Sequence, residues 1–170
     1  CWLFEMRPDQ VEVVFPPDVI VPSMVDFVDG SVMAQLCPPD MRTPIQYALT
    51  YPNRLPGLGA RMDWTLHQDL HFEPPDHQRF PALRLAYTVA ERGGTLGAVL
   101  NGANEVAVQA FLDGRIPFGE ISAVVGLTIC SHRHQPTSSS LSLEDLLHAD
   151  RQARAEAESL VEQRSSRIHA

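Results

Sequence analysis

The first third of the chain carries short runs suited to a sheet, and its second half changes to a helical period. Gln10-Val11-Glu12-Val13-Val14-Phe15 is rich in β-branched residues and is ended by Pro16-Pro17-Asp18, which predicts a short strand. Met24-Val25-Asp26-Phe27-Val28 and Ser31-Val32-Met33-Ala34-Gln35-Leu36 flank Asp29-Gly30. That pattern predicts a hairpin with a two-residue turn, because both turn positions need positive φ. In that register Val28 faces Ser31 and Phe27 faces Val32. Val25, Phe27, Val32, Ala34 and Leu36 then share an apolar face that must be covered. Met24, Asp26, Val28, Ser31, Met33 and Gln35 share a mixed face open to solvent, a site or a second subunit.

Thr43-Pro44-Ile45-Gln46 reads as a capping box with proline at the first helical position, opening a short helix that stops before Pro52. Residues 52–79 are rich in Pro, Gly and His without a sustained period and read as a surface linker. Pro81 opens a helix with Ala82, Leu85, Ala86 and Val89 on one stripe, ended by Gly93-Gly94. A second helix is expected over Ala103–Leu112, ahead of Gly114, and a third around Ile121, Val124, Val125 and Thr128. Residues 131–142 read as a polar loop. The last helix starts near Ser142, with Asp145 at the reciprocal capping position and Leu146, Leu147, Ala153, Ala157, Leu160 and Val161 inward, and frays from Arg164. Short connections between amphipathic helices argue for a bundle. The expected fold class is α+β: a partial mixed sheet with a β-hairpin, then a linker, then a C-terminal helical bundle. The boundaries are 1–51, 52–79 and 80–170.

Composition narrows the function. The chain has 170 residues and a formal net charge of −8, which disfavours nucleic acid but leaves room for a local pocket for a small phosphorylated molecule. No apolar run is long enough for a membrane helix. Three scattered cysteines, Cys1, Cys37 and Cys130, fit a reducing cytoplasm. Cys1-Trp2-Leu3-Phe4-Glu5 has neither a basic n-region nor an initiator Met, and reads as a cut inside a longer protein.

Several segments together carry a resemblance. They are Trp2-Leu3-Phe4, Val28-Asp29-Gly30-Ser31-Val32, Pro39-Asp40-Met41-Arg42-Thr43-Pro44-Ile45, Phe80-Pro81-Ala82-Leu83, Leu100-Asn101-Gly102-Ala103-Asn104-Glu105, Phe111-Leu112-Asp113-Gly114-Arg115-Ile116 and Leu143-Glu144-Asp145-Leu146-Leu147. In this order the chain resembles the C-terminal portion of the 1-deoxy-D-xylulose 5-phosphate reductoisomerases. The resemblance implies an enzyme, an oxidoreductase and isomerase of non-mevalonate isoprenoid biosynthesis. It rearranges that phosphosugar and reduces the product with NADPH, using Mg²⁺ or Mn²⁺, to give 2-C-methyl-D-erythritol 4-phosphate.

It further implies a homodimer in a bacterial cytoplasm or a plastid. The chain would hold the end of the catalytic domain, a linker and the helical domain. The metal carboxylates, the phosphate-binding residues and the Gly-rich NADPH turn all lie upstream in the family, so no catalytic residue and no metal ligand carries over. None of these cofactors is expected to bind this chain alone.

What carries over is Pro39 and Met41, near the nicotinamide, with Met41 as its apolar wall; the competing reading makes Met41 core filler and Asp40 a turn cap. Arg42 could meet a phosphate or form a surface salt bridge. The family pattern His-Pro-Gln-Ser-Val-Ile-His-Ser-Met is replaced by Phe15-Pro16-Pro17-Asp18-Val19-Ile20-Val21-Pro22-Ser23-Met24, losing both histidines and adding one residue. Gly102 stands where the family usually has Ala.

A non-catalytic remnant or dimerisation scaffold is the alternative function. A third reading is a metal-binding protein using His67, Asp69, His71 and Glu73, with Asp76 and His77, or Cys130, His132 and His134. Asn101, Asn104 and Glu105 read either as a catalytic cluster or as caps at a helix start. The charges from Glu144 to Glu162 read as the solvated face of the last helix. The sheet portion by itself would expose apolar surface and strand edges, which predicts poor solubility.

Overall fold

A computed structural model describes residues 4–15, 20–66, 69–132 and 141–168. It shows an α+β chain whose contacts divide it into two units, Cys1–Glu12 with Asp76–Ala170, and Val13–Pro75. The described residues form β1 (Ser23–Asp26), β2 (Val32–Gln35), α1 (Arg42–Thr50), α2 (Pro81–Arg92), α3 (Leu96–Leu112), α4 (Glu120–Ser131) and α5 (Leu143–Ile168).

In the unit Val13–Pro75, β1 and β2 pair antiparallel, and the register departs from the expected one. Met24 faces Ala34, Val25 faces Met33 and Asp26 faces Val32. The loop has three residues rather than two: the Phe27 N–H donates to the Ser31 carbonyl and the Gly30 N–H to the Phe27 carbonyl, both at 2.9 Å. Asp29 decides this. Its Oδ1 accepts the Ser31 N–H at 2.9 Å and the Ser31 hydroxyl at 2.6 Å, while Gly30 takes φ +81°. A type I turn followed by a left-handed glycine is the common three-residue hairpin loop.

The one-residue shift moves β2 to the opposite face relative to β1. Val25 and Phe27 now share a face with Ser31, Met33 and Gln35, so the wholly apolar face is not formed. Every residue of both strands is exposed, and no cover exists among the described residues. The strand expected over Gln10–Phe15 is also absent. Pro8–Gln10 is a single 3₁₀ turn, and only Phe15 makes a ladder-type pair, an isolated bridge to Glu73. A β-branched run is not a strand without a neighbour to take its hydrogen bonds.

The other unit is a helical bundle. α3 packs most extensively on α5 and next on α4, and α2 lies against both α3 and α4. Leu96, Val99, Ala103, Ala107 and Ala110 of α3 join Ile116, then Val124, Val125 and Ile129 of α4, and Ala149, Ala153, Ala157 and Val161 of α5 in one buried cluster. The α5 residues recur at spacing four, one helical stripe, and their small side chains allow close approach to the α3 alanines. Each buried Leu or Val contributes about 1.5 to 3 kcal/mol of transfer free energy.

The punctuation around the helices mostly follows the sequence. Pro81 occupies the first turn of α2, and Gly93, at φ +62°, takes the left-handed position past its end, its N–H reaching the Val89 carbonyl at 2.9 Å. The Ser142–Asp145 capping box forms as expected: the Asp145 N–H donates to Ser142 Oγ at 3.2 Å, and Asp145 Oδ2 accepts the Ser142 N–H at 2.9 Å. Three expectations fail.

α3 starts at Leu96 rather than Ala103, so Asn101, Asn104 and Glu105 lie inside the helix and do not cap it. α1 begins at Arg42, and Thr43 makes no cap; Gln46 donates instead to the Leu55 and Pro56 carbonyls at 3.2 and 3.1 Å. α5 does not fray at Arg164 but continues to Ile168, with Arg164 ion-paired to Glu120 at the start of α4.

Candidate functional site

The Pro39–Arg42 stretch forms the approach to α1. Its centre is Asp40. The Asp40 carboxylate accepts the Arg42 N–H at 3.0 Å and the Arg42 guanidinium through Nε at 2.9 and 3.0 Å and Nη2 at 2.6 Å. One short acidic side chain thus ties both the backbone and the side chain of the residue two positions on, as Asx turns do. Hydrogen bonds from the Arg42 side chain, then from its N–H, hold the Asp40 carboxyl below the usual aspartate range, and the same pair raises Arg42. Arg42 is therefore engaged in the salt bridge, and Asp40 is the turn cap.

Between them, Met41 projects outward and is 70% exposed, outside the core of this unit. Pro39 is exposed beside it.

The segment after α1 folds back on that helix. Besides the two Gln46 bonds, the Thr50 hydroxyl donates to the Asn53 carbonyl at 2.8 Å. The Arg54 guanidinium lies 4.1 Å from the centre of the Tyr47 ring, which meets Tyr51 edge-on at 5.8 Å. Further along, Gly59 abuts Asp40: a Cβ built there would stand 2.9 Å from Asp40 Oδ2 and 3.4 Å from Thr43 Oγ1. Sequence reading missed this contact because nothing local signals a pairing across eighteen intervening positions. The space enclosed by Thr43, Gln46, Tyr47, Thr50, Arg54 and Leu55 is about 150 Å³, below what a drug-sized ligand fills.

Met41 is not among the residues that line this space. Among the described residues no three His, Cys, Asp or Glu side chains come together as metal ligands.

The other candidates have structural partners. Asn101 donates to Glu105 at 2.9 Å, Glu105 pairs with Arg154 at 2.7 Å, and Arg154 pairs with Asp150 at 2.8 Å, stitching α3 to α5. Arg115 pairs with Glu158 at 2.6 Å. Part of the charge on α5 therefore faces neighbouring elements, while Arg151 and Glu144 pair with each other on the exposed face. His71 sits 3.5 Å from Glu73, both exposed, and His67 lies outside the described residues. His132 Nε2 is 3.0 Å from the Thr95 hydroxyl, Cys130 is exposed, and His134 lies outside the described residues.

A model of the DXP reductoisomerase C-terminal domain matches residues 36–156. The chain belongs to that family. The reductoisomerase of Stutzerimonas stutzeri strain A1501 is 52% identical over 154 residues, which cover 91% of this chain and 38% of that protein. The reductoisomerase of Rhodopirellula baltica is 48% identical over 161 residues, covering 95% of this chain and 35% of that protein. Among solved structures, the reductoisomerase from Zymomonas mobilis in complex with NADPH is 41% identical with a TM-score of 0.84, over 94% of this chain and 41% of that one.

A DOX-P reductoisomerase in complex with NADPH, fosmidomycin and magnesium is 36% identical with a TM-score of 0.86, over 95% of this chain and 41% of that one. The chain spans about two-fifths of the length of these reductoisomerases, the part that holds their C-terminal domain. No helix among the described residues is long and apolar enough to cross a membrane.

Proposed function

We propose that this chain serves as the C-terminal part of a 1-deoxy-D-xylulose 5-phosphate reductoisomerase. That enzyme converts the phosphosugar to 2-C-methyl-D-erythritol 4-phosphate for isoprenoid synthesis. In this reading residues 1–51 complete the catalytic domain, 52–79 link, and 80–170 form the helical domain. Pro39 and Met41 stand beside the nicotinamide. Met41 offers a flexible thioether wall that excludes water from the ring face, and Asp40 with Arg42 holds its backbone. NADPH and Mg²⁺ or Mn²⁺ belong to the whole enzyme, whose hydride and Lewis-acid chemistry they supply. It works as a homodimer in a bacterial cytoplasm or a plastid, and this chain alone is inactive.

The observation that carries the reading is the family match over residues 36–156, with the Pro39–Arg42 stretch presenting Met41 outward. The test replaces the matching C-terminal segment of the Stutzerimonas relative with this chain. NADPH-dependent turnover of 1-deoxy-D-xylulose 5-phosphate is expected. A chimera that folds and dimerises without turnover would instead support the scaffold reading, in which the changes between Phe15 and Met24 ended catalysis.

A further inference from the structure

We propose that Gly59 is a positioning residue for the nicotinamide-facing wall. By lacking a Cβ, it lets the segment after α1 close against Asp40, and Asp40 in turn fixes the backbone at Met41 and Arg42. This rests on the placement of Met41 beside the nicotinamide. Gly59 is not among the residues with positive φ, so the backbone there does not itself require glycine. The requirement is room.

A Cβ would come within 2.9 Å of Asp40 Oδ2 and 3.6 Å of its Cγ, with Thr43 Oγ1 at 3.4 Å. Contact with the end of a free side chain would be relieved by a rotation. This carboxylate is not free: both oxygens accept from Arg42, and Oδ1 also holds the Arg42 N–H. The Asp40 side chain is only 19% exposed. To admit a methyl group, either the carboxylate leaves the Arg42 N–H or the segment lifts away.

Lifting is opposed from the other end of the same segment. There the Leu55 and Pro56 carbonyls accept from Gln46, Asn53 accepts from Thr50, and Arg54 stacks on Tyr47. Gly57 provides an internal control. It sits in the same segment, and its built Cβ would lie 3.7 Å from Gln46 Oε1, an ordinary contact.

The experiment compares Gly59→Ala and Gly57→Ala in two settings. In this chain, Gly59→Ala is expected to shift the Arg42 amide and the Met41 methyl resonances and to move the Asp40 titration up toward the ordinary aspartate range. Gly57→Ala leaves all three in place. Unchanged resonances in Gly59→Ala would overturn the clasp.

In the Stutzerimonas chimera, Gly59→Ala is expected to raise KM for NADPH about tenfold while KM for the phosphosugar stays, as loss of a positioned cofactor contact does. An unchanged NADPH KM beside shifted resonances would overturn the positioning role and leave only a structural contact. Met41→Ala in the same chimera separates the two ideas. If it too leaves the NADPH KM unchanged, the placement of Met41 beside the nicotinamide fails, whatever the clasp does.

Discussion

The two units solve the problem of apolar surface in opposite ways. The helical unit buries thirteen hydrophobic side chains in one cluster spread over α3, α4 and α5 and the turn at Ile116. Among the described residues of the other unit only Ile20 and Val21 are buried, while Val25, Phe27, Met33, Met41, Ile45 and Leu49 stand exposed. It is held by polar stitching instead: Asp29 in the hairpin loop, Asp40 before α1, and Gln46 and Thr50 to the segment beyond. Hydrogen bonds of this kind contribute about 1 kcal/mol each, against several for a buried side chain with its cavity. A unit with so much unused apolar surface is what a catalytic domain shared with other chain segments would contribute, in keeping with the proposed reading.

The sharpest way to break this comparison is truncation on each side. Leu96→Ala, at a fully buried position, should lower unfolding free energy by about 2 to 5 kcal/mol. Val25→Ala in the hairpin should change it by less than about 0.5 kcal/mol. Denaturant titration followed by circular dichroism measures both, and equal losses would mean the hairpin carries a hidden share of the core.

Two helix glycines sharpen the picture of packing inside the bundle. A Cβ at Gly102 would stand 2.7 Å from Asp150 Oδ1 and 3.2 Å from the Asp150 carbonyl, so α5 would have to shift. Overpacking of about 1 to 3 kcal/mol outweighs the helix-propensity gain of about 1 kcal/mol, and Gly102→Ala should lower stability. A Cβ at Gly126 would only touch the Leu85 methyls at 3.6 and 3.7 Å, so Gly126→Ala should raise stability by about 1 kcal/mol. A thermal melt that rose in Gly102→Ala would refute the close α3–α5 approach.

The smallest effect concerns the α5 cap. Ser142→Ala should cost about 1 kcal/mol at neutral pH. Hydrogen bonds from the Ser142 side chain and N–H hold the Asp145 carboxyl below its ordinary value. A depressed folded pKa gives stability that is present in full above the unfolded value near 4 and is lost as pH falls through the folded one. The gap between wild type and Ser142→Ala should therefore narrow on going from pH 7 to below about 4. A gap independent of pH would show that Asp145 takes no part in the cap.

Legibility in the sequence differed along the same divide. The end of α2 at Gly93, the Ser142–Asp145 box and the inward positions Ala153, Ala157 and Val161 were readable because each rests on local chemistry or helical period. The hairpin was readable as a hairpin, but its register was not. Asp29-Gly30 suits a two-residue turn, and the Asp29 side chain's capture of Ser31 settled a three-residue loop. The start of α3 was missed because Gly97 and Gly102 weaken helical propensity, while burial of Leu96, Val99 and Gly102 restores the helix. At the candidate site Pro39, Asp40, Met41 and Arg42 were singled out through the family resemblance, while the approach of Gly59 to Asp40 was not readable.

The sequence alone determined the α+β class, the bundle, the family and the Pro39–Arg42 stretch, since all of these rest on period, capping chemistry or contiguous motifs. Tertiary structure decided where Asn101 and Glu105 sit, that Arg154 bridges two helices, and that Gly59 closes on Asp40. These are meetings between residues far apart in the chain. Local propensity says nothing of them, because their free energy is gained only when packing brings the partners within contact distance.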